Sequence, residues 1–152
     1  MLLELIGMQP NQESYNTVLA AILEEFSCHS GTLHRCPPDE SELELVAQIG
    51  IPKALLGKIS TILIGKGIAG AAAETRAPVE LCNLQQDLGG VARPDARQTE
   101  VSGSLAVPIF HPESDQVIGT LGVGMHVPHS FTEEEKERLA AHGRAIASRL
   151  VR

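Results

Sequence analysis

The chain reads as an α+β fold in which one antiparallel sheet is flanked by helices. Three observations predict it. Apolar residues recur at helical spacing near both ends of the chain. Between those ends lie short runs of strand character, one of them alternating apolar and polar residues with period two. Neighbouring runs are joined locally, as antiparallel strands are, without the long helical crossovers that a parallel sheet needs.

The first helix is set by Tyr15, Val18, Leu19, Ile22, Leu23 and Phe26, which form one apolar stripe, with Glu13, Asn16, Glu24 and Glu25 elsewhere. A strand-like segment follows over His29–Cys36, and Pro37-Pro38-Asp39-Glu40 forces a turn. Leu43, Leu45, Ala47 and Ile49 alternate with Glu42, Glu44, Val46 and Gln48, which predicts a half-buried strand and completes a hairpin. Pro52 suits the first position of a short helix over Lys53–Ile59, because the N–H it lacks would be unpaired there. A strand-like Thr61–Ile64 runs into the turn Gly65-Lys66-Gly67-Ile68-Ala69-Gly70, and a short Ala-rich helix ends near Thr75. Then come a brief strand at Ala77–Leu81, an irregular stretch over Cys82–Gly103, and two strand-like runs, Ser104–Ile109 and Val117–Val123. Thr132-Glu133-Glu134-Glu135 is a capping box: the threonine hydroxyl reaches the Glu135 amide while the Glu135 side chain reaches back. Leu139, Ile146 and Leu150 mark the apolar stripe of the helix it opens. Gly143 weakens that helix by roughly 1 kcal/mol relative to Ala, and a close helix–helix crossing would justify it.

At 152 residues a single domain over 1–152 is expected, with its core over about residues 11–151. The chain is 43% hydrophobic and 20% charged, which is globular balance rather than disorder. Aromatics make up only 3% and Trp is absent, so the core is aliphatic and base-stacking platforms for nucleic acid are missing. A formal net charge of −7 repels phosphate backbones and anionic membrane surfaces. No apolar run is long enough to span a membrane, and the apolar start Met1–Ile6 is short and interrupted by Glu4, unlike a signal peptide. Cys28, Cys36 and Cys82 are odd in number and lack C-x-x-C spacing, so neither a disulfide framework nor a zinc cluster is indicated. The expected location is a reducing cytoplasm.

Four features in order carry a family resemblance: Ile64-Gly65-Lys66-Gly67-Ile68-Ala69-Gly70; Ala77-Pro78-Val79; Ser104-Leu105-Ala106-Val107-Pro108-Ile109; and Val117-Ile118-Gly119-Thr120-Leu121-Gly122-Val123 followed by Phe131-Thr132-Glu133-Glu134-Glu135. Together they resemble the GAF domain, a PAS-related small-ligand sensor fold, over roughly residues 11–151. The resemblance implies a sheet of five to six strands. It puts the N- and C-terminal helices on one face and short helices plus a lid loop on the other. It also implies a signalling or regulatory role, a small-molecule pocket built from residues 62–128, and a homodimer paired through the amphipathic terminal helices. The output partner is not implied.

The glycines Gly65, Gly67 and Gly70 lead into a helix N-terminus, an arrangement that also cradles phosphate in other proteins. Here no long helix or βαβ unit follows, and Gly-Lys-Ser/Thr is absent, so turn chemistry is the stronger reading. The stretch Cys82–Gly103 is long for an irregular connection and is rich in charge, including Asp87, Arg93, Asp95, Arg97 and Glu100. Two readings stand side by side: a solvated loop with weak surface ion pairs, or a lid that supplies convergent polar groups. The expected ligand-binding residues are Ala69, Cys82, Asp95, Gln98, Ser102 and Ser104.

Free methionine-R-sulfoxide reductases share the GAF fold and need thiolates in the glycine turn and before an Asp of the lid. Here Ala69 and Pro94 stand at those positions, so catalysis is not expected. The cyclic-nucleotide signature Asn-Lys…Phe-x-x-x-Asp-Glu is matched only by Phe131, with Glu135-Lys136 in place of the acidic pair. Covalent bilin attachment needs Cys-His, whereas Cys82 precedes Asn83. No cofactor is predicted. Haem on a single histidine stays open, with His34 in a strand as its candidate; the scatter of His29, His34, His111, His126, His129 and His142 shows no metal-ligand spacing. The alternatives to a sensor are a variant reductase using Cys82 and a ligand-free dimerisation scaffold.

Overall fold

The computed structural model describes residues 12–37, 41–81 and 102–150. Helix α1 (Gln12–Phe26) leads into strands β1 (Ser30–Arg35) and β2 (Glu42–Ile49). A 3₁₀ turn (Lys53–Leu55) and the one-turn helix α2 (Leu56–Ile59) precede β3 (Thr61–Leu63). Helix α3 (Gly67–Thr75), strands β4 (Val79–Leu81), β5 (Gly103–Phe110) and β6 (Val117–Met125), and helix α4 (Glu133–Leu150) complete the order. The six strands form one antiparallel sheet in the order β3-β2-β1-β6-β5-β4, the α+β architecture expected from the sequence. No helix among the described residues is long and apolar enough to cross a membrane.

Helices α1 and α4 cover one face of the sheet. Leu19, Ile22 and Phe26 of α1 and Leu139, Ile146 and Leu150 of α4 bury their stripes against Leu33, Leu105, Val107, Ile109, Leu121 and Val123. At about 25 cal/mol per Å² of buried apolar surface, each such side chain contributes on the order of 1.5–3 kcal/mol. Because both helical stripes are spent on this core, the large exposed hydrophobics among the described residues are Leu63 and Val127, on neither helix. Amphipathicity of the end helices therefore does not argue for pairing, and the homodimer rests on the family resemblance alone.

The capping box forms as the sequence predicts. Glu135 N–H donates to Thr132 Oγ1 at 3.0 Å, and Thr132 N–H donates to Glu135 Oε1 at 2.8 Å. Gly143 marks a close approach, but to the sheet rather than to another helix: a Cβ there would lie 3.2 Å from Ile109 Cγ1. Strand β2 departs from simple alternation. Leu33 pairs with Ala47 but His34 pairs with Leu45, so Val46 is an extra residue in a bulge. The bulge reverses the facing of the strand: Ala47 packs in the core, whereas Leu45 lies beside His34 on the opposite side.

That opposite side is covered by α2 and α3. Helix α3 touches both edge strands, β3 and β4, as well as β5 and β6, so the sheet curls around it. The glycine turn makes this fit possible. Gly65 and Gly67 take φ of +94° and +67°, values that favour glycine. Gly65 N–H donates to the Gly70 carbonyl (2.8 Å), Lys66 N–H to Leu63 (3.0 Å) and Gly70 N–H to Lys66 (3.1 Å). These bonds close the turn on itself and set the start of α3. Gly70 is needed for another reason: a Cβ there would collide with the Leu63 carbonyl oxygen and lie 3.0 Å from the Gly65 amide nitrogen.

Two effects oppose each other at this position. Helix propensity alone makes Gly70→Ala stabilising by about 1 kcal/mol, whereas overpacking against backbone costs about 1–3 kcal/mol. The collision is with backbone that cannot rotate away, so the substitution is expected to destabilise. A lower urea midpoint at unchanged slope checks it, and a raised midpoint would refute the packing account.

Candidate functional site

Across the sheet face that α3 covers, strand register sets out three rows of side chains, because residues directly opposite one another project to the same side. The first row is Leu81–Ser104–Gly124–Ser30, the second Val79–Ala106–Gly122–Thr32–Gln48, and the third Pro108–Thr120–His34–Leu45. The centre of this face is thus made of glycine, alanine and hydroxyl side chains. A Cβ at Gly122 would stand 3.1 Å from Thr32 Oγ1 and 4.0 Å from Ala106 Cβ, so the bare backbone there keeps the middle of the face low. Above it, α3 contributes Ala72 and Ala73, both buried, with Ala69 one turn before them on the same side of the helix.

Two polar side chains stand out in the third row. His34 and Thr120 are each 1% exposed and lie directly opposite one another on β1 and β6. His34 Nε2 is 2.9 Å from the Ile59 carbonyl oxygen at the end of α2. A carbonyl only accepts, so Nε2 carries the proton and donates, leaving Nδ1 with its lone pair. That Nδ1 has no hydrogen-bond partner among the described residues, and neither has Thr120 Oγ1. Burial pushes the His34 pKa below the ordinary imidazole value, and the bond to Ile59 offsets this only in part, so the ring is neutral near pH 7.

Of the residues expected from the sequence, Ser104 lies in the first row and is half-buried, and Ser102 is buried just before β5. The Ser102 N–H donates to the Met125 carbonyl at 2.6 Å, which anchors the chain as it enters the sheet. Ala69 is half-buried on α3. Cys82, Asp95 and Gln98, with the proposed lid, lie outside the described residues. The sequence reading missed Ser30, Thr32 and Thr120, and weighed His34 only as a haem ligand. Its Nε2, the nitrogen facing α2, is already occupied by Ile59. No cluster of three or more His, Cys, Asp or Glu suited to a metal occurs among the described residues.

Cys28 sits on the other side of the sheet, packed against the main core. Burial, with a smaller contribution from the negative charge of Glu135, pushes its thiol up to about 11, so it is protonated and unreactive near neutral pH. A separate concavity of about 550 Å³ opens between β5 and α4, floored by Val107, Pro108 and Phe110. Its cations are already matched: Arg76 with Asp115 (3.3 Å), Lys136 with Glu80 (2.7 Å) and Arg144 with Glu137 (2.9 Å). Glu133, also on this rim, shares Lys136 at 3.1 Å, so each of these three cations has a carboxylate partner.

One sheet face is spent on a core between long helices, and the other carries small and hydroxylic residues beneath short helices. These are the features of a small two-faced α+β domain. The family model for the GAF domain matches residues 11–150, and the chain belongs to that family. Solved structures agree on the fold. The GAF domain of a phosphoenolpyruvate-protein phosphotransferase from Coxiella burnetii is 22% identical at a TM-score of 0.79, over 99% of this chain and 88% of that one. A free methionine-R-sulfoxide reductase from Neisseria meningitidis, solved with its substrate, is 16% identical at a TM-score of 0.78, over 99% and 83%. A putative GAF sensor protein from Burkholderia vietnamiensis is 19% identical at a TM-score of 0.75, over 97% and 87%. No curated protein sequence matches the chain.

The neutral, buried state of His34 has a pH signature. Its folded pKa lies below the unfolded value of about 6.5, so the unfolded chain takes up a proton that the fold excludes. Its contribution is intact above that value and is lost as pH falls through it. Urea unfolding at about pH 7.5 and 5.5 is expected to show wild type losing more stability than His34→Gln. Equal losses would show that the ring is not held neutral.

Proposed function

We infer that this protein is a non-catalytic sensor module that holds a small molecule between the β1–β6–β5 face and the short helices packed on that side of the sheet. The observation that carries the reading is the pair of buried, unpartnered polar atoms, His34 Nδ1 and Thr120 Oγ1, on a face otherwise lined by small residues. Leaving a buried donor or acceptor unsatisfied costs about 1–3 kcal/mol, a cost that a bound molecule would remove. Ligand recesses have this composition: mostly apolar, with a few placed polar groups. Occupation would stabilise the packing of α3 on the sheet and so shift the domain between states of different affinity.

The second reading, a variant reductase using Cys82, draws on the likeness of fold to the reductase from Neisseria meningitidis and to one from Thermoplasma acidophilum, 14% identical at a TM-score of 0.73. Against it, the glycine turn presents Ala69, which has no nucleophilic atom, and Cys28 lies on the far side of the sheet. A reductase mechanism needs an attacking thiolate and a partner to resolve the product.

Native mass spectrometry of freshly purified protein is expected to show a mass above that of the chain, released on denaturation. The same preparation is expected not to turn over free methionine-R-sulfoxide. Bare chain mass, together with no thermal stabilisation by any member of a metabolite panel, would overturn the sensor reading. Turnover that disappears in Cys82→Ala would establish the reductase instead. At a ligand concentration of 100 Kd the expected stabilisation is about 2.7 kcal/mol.

A further inference from the structure

We propose that His34 and Thr120 act as one anchor that recognises a neutral molecule presenting an N–H donor beside a carbonyl acceptor, the edge of an amide or lactam. This rests on the reading of the recess as a ligand site and specifies what the ligand offers there. The geometry defines complementary roles. With Nε2–H given to Ile59, His34 Nδ1 can only accept, so its partner must be a donor. The Thr120 hydroxyl, directly opposite on β6, is free to donate, so its partner can be a carbonyl. Directly opposed side chains start from Cβ atoms roughly 4.5–5.5 Å apart, a separation that one amide edge can span.

Charge argues for a neutral occupant. The row neighbours of the pair are Leu45 and Pro108, and the adjoining row offers Thr32, Gly122 and Ala106. Helix α3, which packs on β5 and β6, presents Ala69, Ala72 and Ala73. None of these carries a charge. A carboxylate or ammonium held against them would lose its hydration without a counter-charge from the described residues, a cost that a neutral amide edge avoids. An acceptor-only ligand, such as a ketone, would satisfy Thr120 but leave Nδ1 unpaired. Sites built to bond a donor discriminate strongly against analogues that lack it.

A purely structural role predicts the opposite behaviour on substitution. Valine has the shape of threonine without the hydroxyl, and removing an unpartnered buried hydroxyl is neutral or stabilising. Thr120→Val is therefore expected to raise the Tm of the ligand-free protein, by up to about 2–4 °C. A marked loss of stability would mean that the hydroxyl serves the fold, and would overturn the anchor.

The direct test labels the histidine rings with nitrogen-15 and follows His34 Nδ1 by NMR as 2-pyrrolidone is added. A saturable shift of Nδ1 toward the hydrogen-bonded position is expected, with affinity roughly tenfold weaker in Thr120→Val, the loss of about one hydrogen bond. Cyclopentanone, similar in shape but without the N–H, is expected to leave Nδ1 unmoved. The proposal fails if saturating pyrrolidone leaves the resonance in place. It fails equally if the ketone moves it as far, or if Nδ1 is already hydrogen-bonded to a resident water that the probe does not displace. A retained mass of the same size in wild type and Thr120→Val would separate the two levels: the sensor reading would stand while this anchor fell.

Discussion

The register between β1 and β6 governs both faces of this molecule. The two strands are distant in sequence yet pair along Ser30–Arg35 against Gly119–Gly124 at the centre of the sheet. One setting of that ladder turns Leu33 and Leu121 toward α1 and α4, and the same setting turns His34 and Thr120 toward α2 and α3. Strand periodicity leaves no intermediate choice: a slip of one residue on either strand would put its hydroxyl or imidazole into the aliphatic core and its leucine onto the opposite face. The cost of burying those polar groups among Ile22, Leu139 and Val107 fixes the register, and with it the chemistry of the opposite face. Core and candidate site are two readings of one set of hydrogen bonds.

The β4 edge of the sheet is held by charge rather than by length. Strand β4 has three residues, too few to define its own position. Its Glu80 accepts a hydrogen bond from the Phe131 N–H at 2.9 Å and an ion pair from Lys136 at 2.7 Å, which ties the strand to the start of α4. Burial alone would raise the Glu80 pKa, but the bonds from Lys136 and Phe131 prevail and hold it below the ordinary carboxylate value. The sign follows: the tie is complete above that ordinary value and weakens as acid protonates the carboxyl. Glu135 does parallel service, receiving the Thr132 amide at 2.8 Å and the His129 ring at 3.2 Å. The segment leading from β6 into α4 is therefore secured at its α4 end by two carboxylates, and the capping box is one part of that arrangement.

Local features of the fold were legible because their physics is local. The stripe of α1 needs only residues within one helix, and Thr132-Glu133-Glu134-Glu135 names a cap that its first and last residues complete. Features that arise from packing partners were not. Gly143 suggested a helix–helix crossing, but its close neighbour is Ile109 of a strand more than thirty residues away. The alternation of β2 suggested one apolar face, and a bulge at Val46, set by pairing with β1, divides it between two. The candidate site was hidden for the same reason. Ser104 was readable because it follows the irregular stretch where a pocket wall was expected. Thr120, inside Val117–Val123, looked like one more β-branched strand residue until its row was known.

Whether the His34–Thr120 pair suits binding or chemistry turns on the state of one ring. An imidazole beside a threonine hydroxyl has the composition of a base and a nucleophile, and Ile59 could be read as the group that orients the base. That reading requires the hydroxyl to be bonded to Nδ1, and no such bond is present. It also requires a base whose pKa lies near the working pH, whereas burial pushes His34 down and makes it a weak one. An imidazolium formed there would find among its row neighbours Leu45, Pro108 and Thr120, none able to balance its charge. The burial that lowers the His34 pKa favours the neutral ring, and the bond from Nε2 to Ile59 leaves Nδ1 as an acceptor. Recognition by hydrogen bonding uses those properties, whereas acid–base catalysis needs a base whose pKa lies near the working pH.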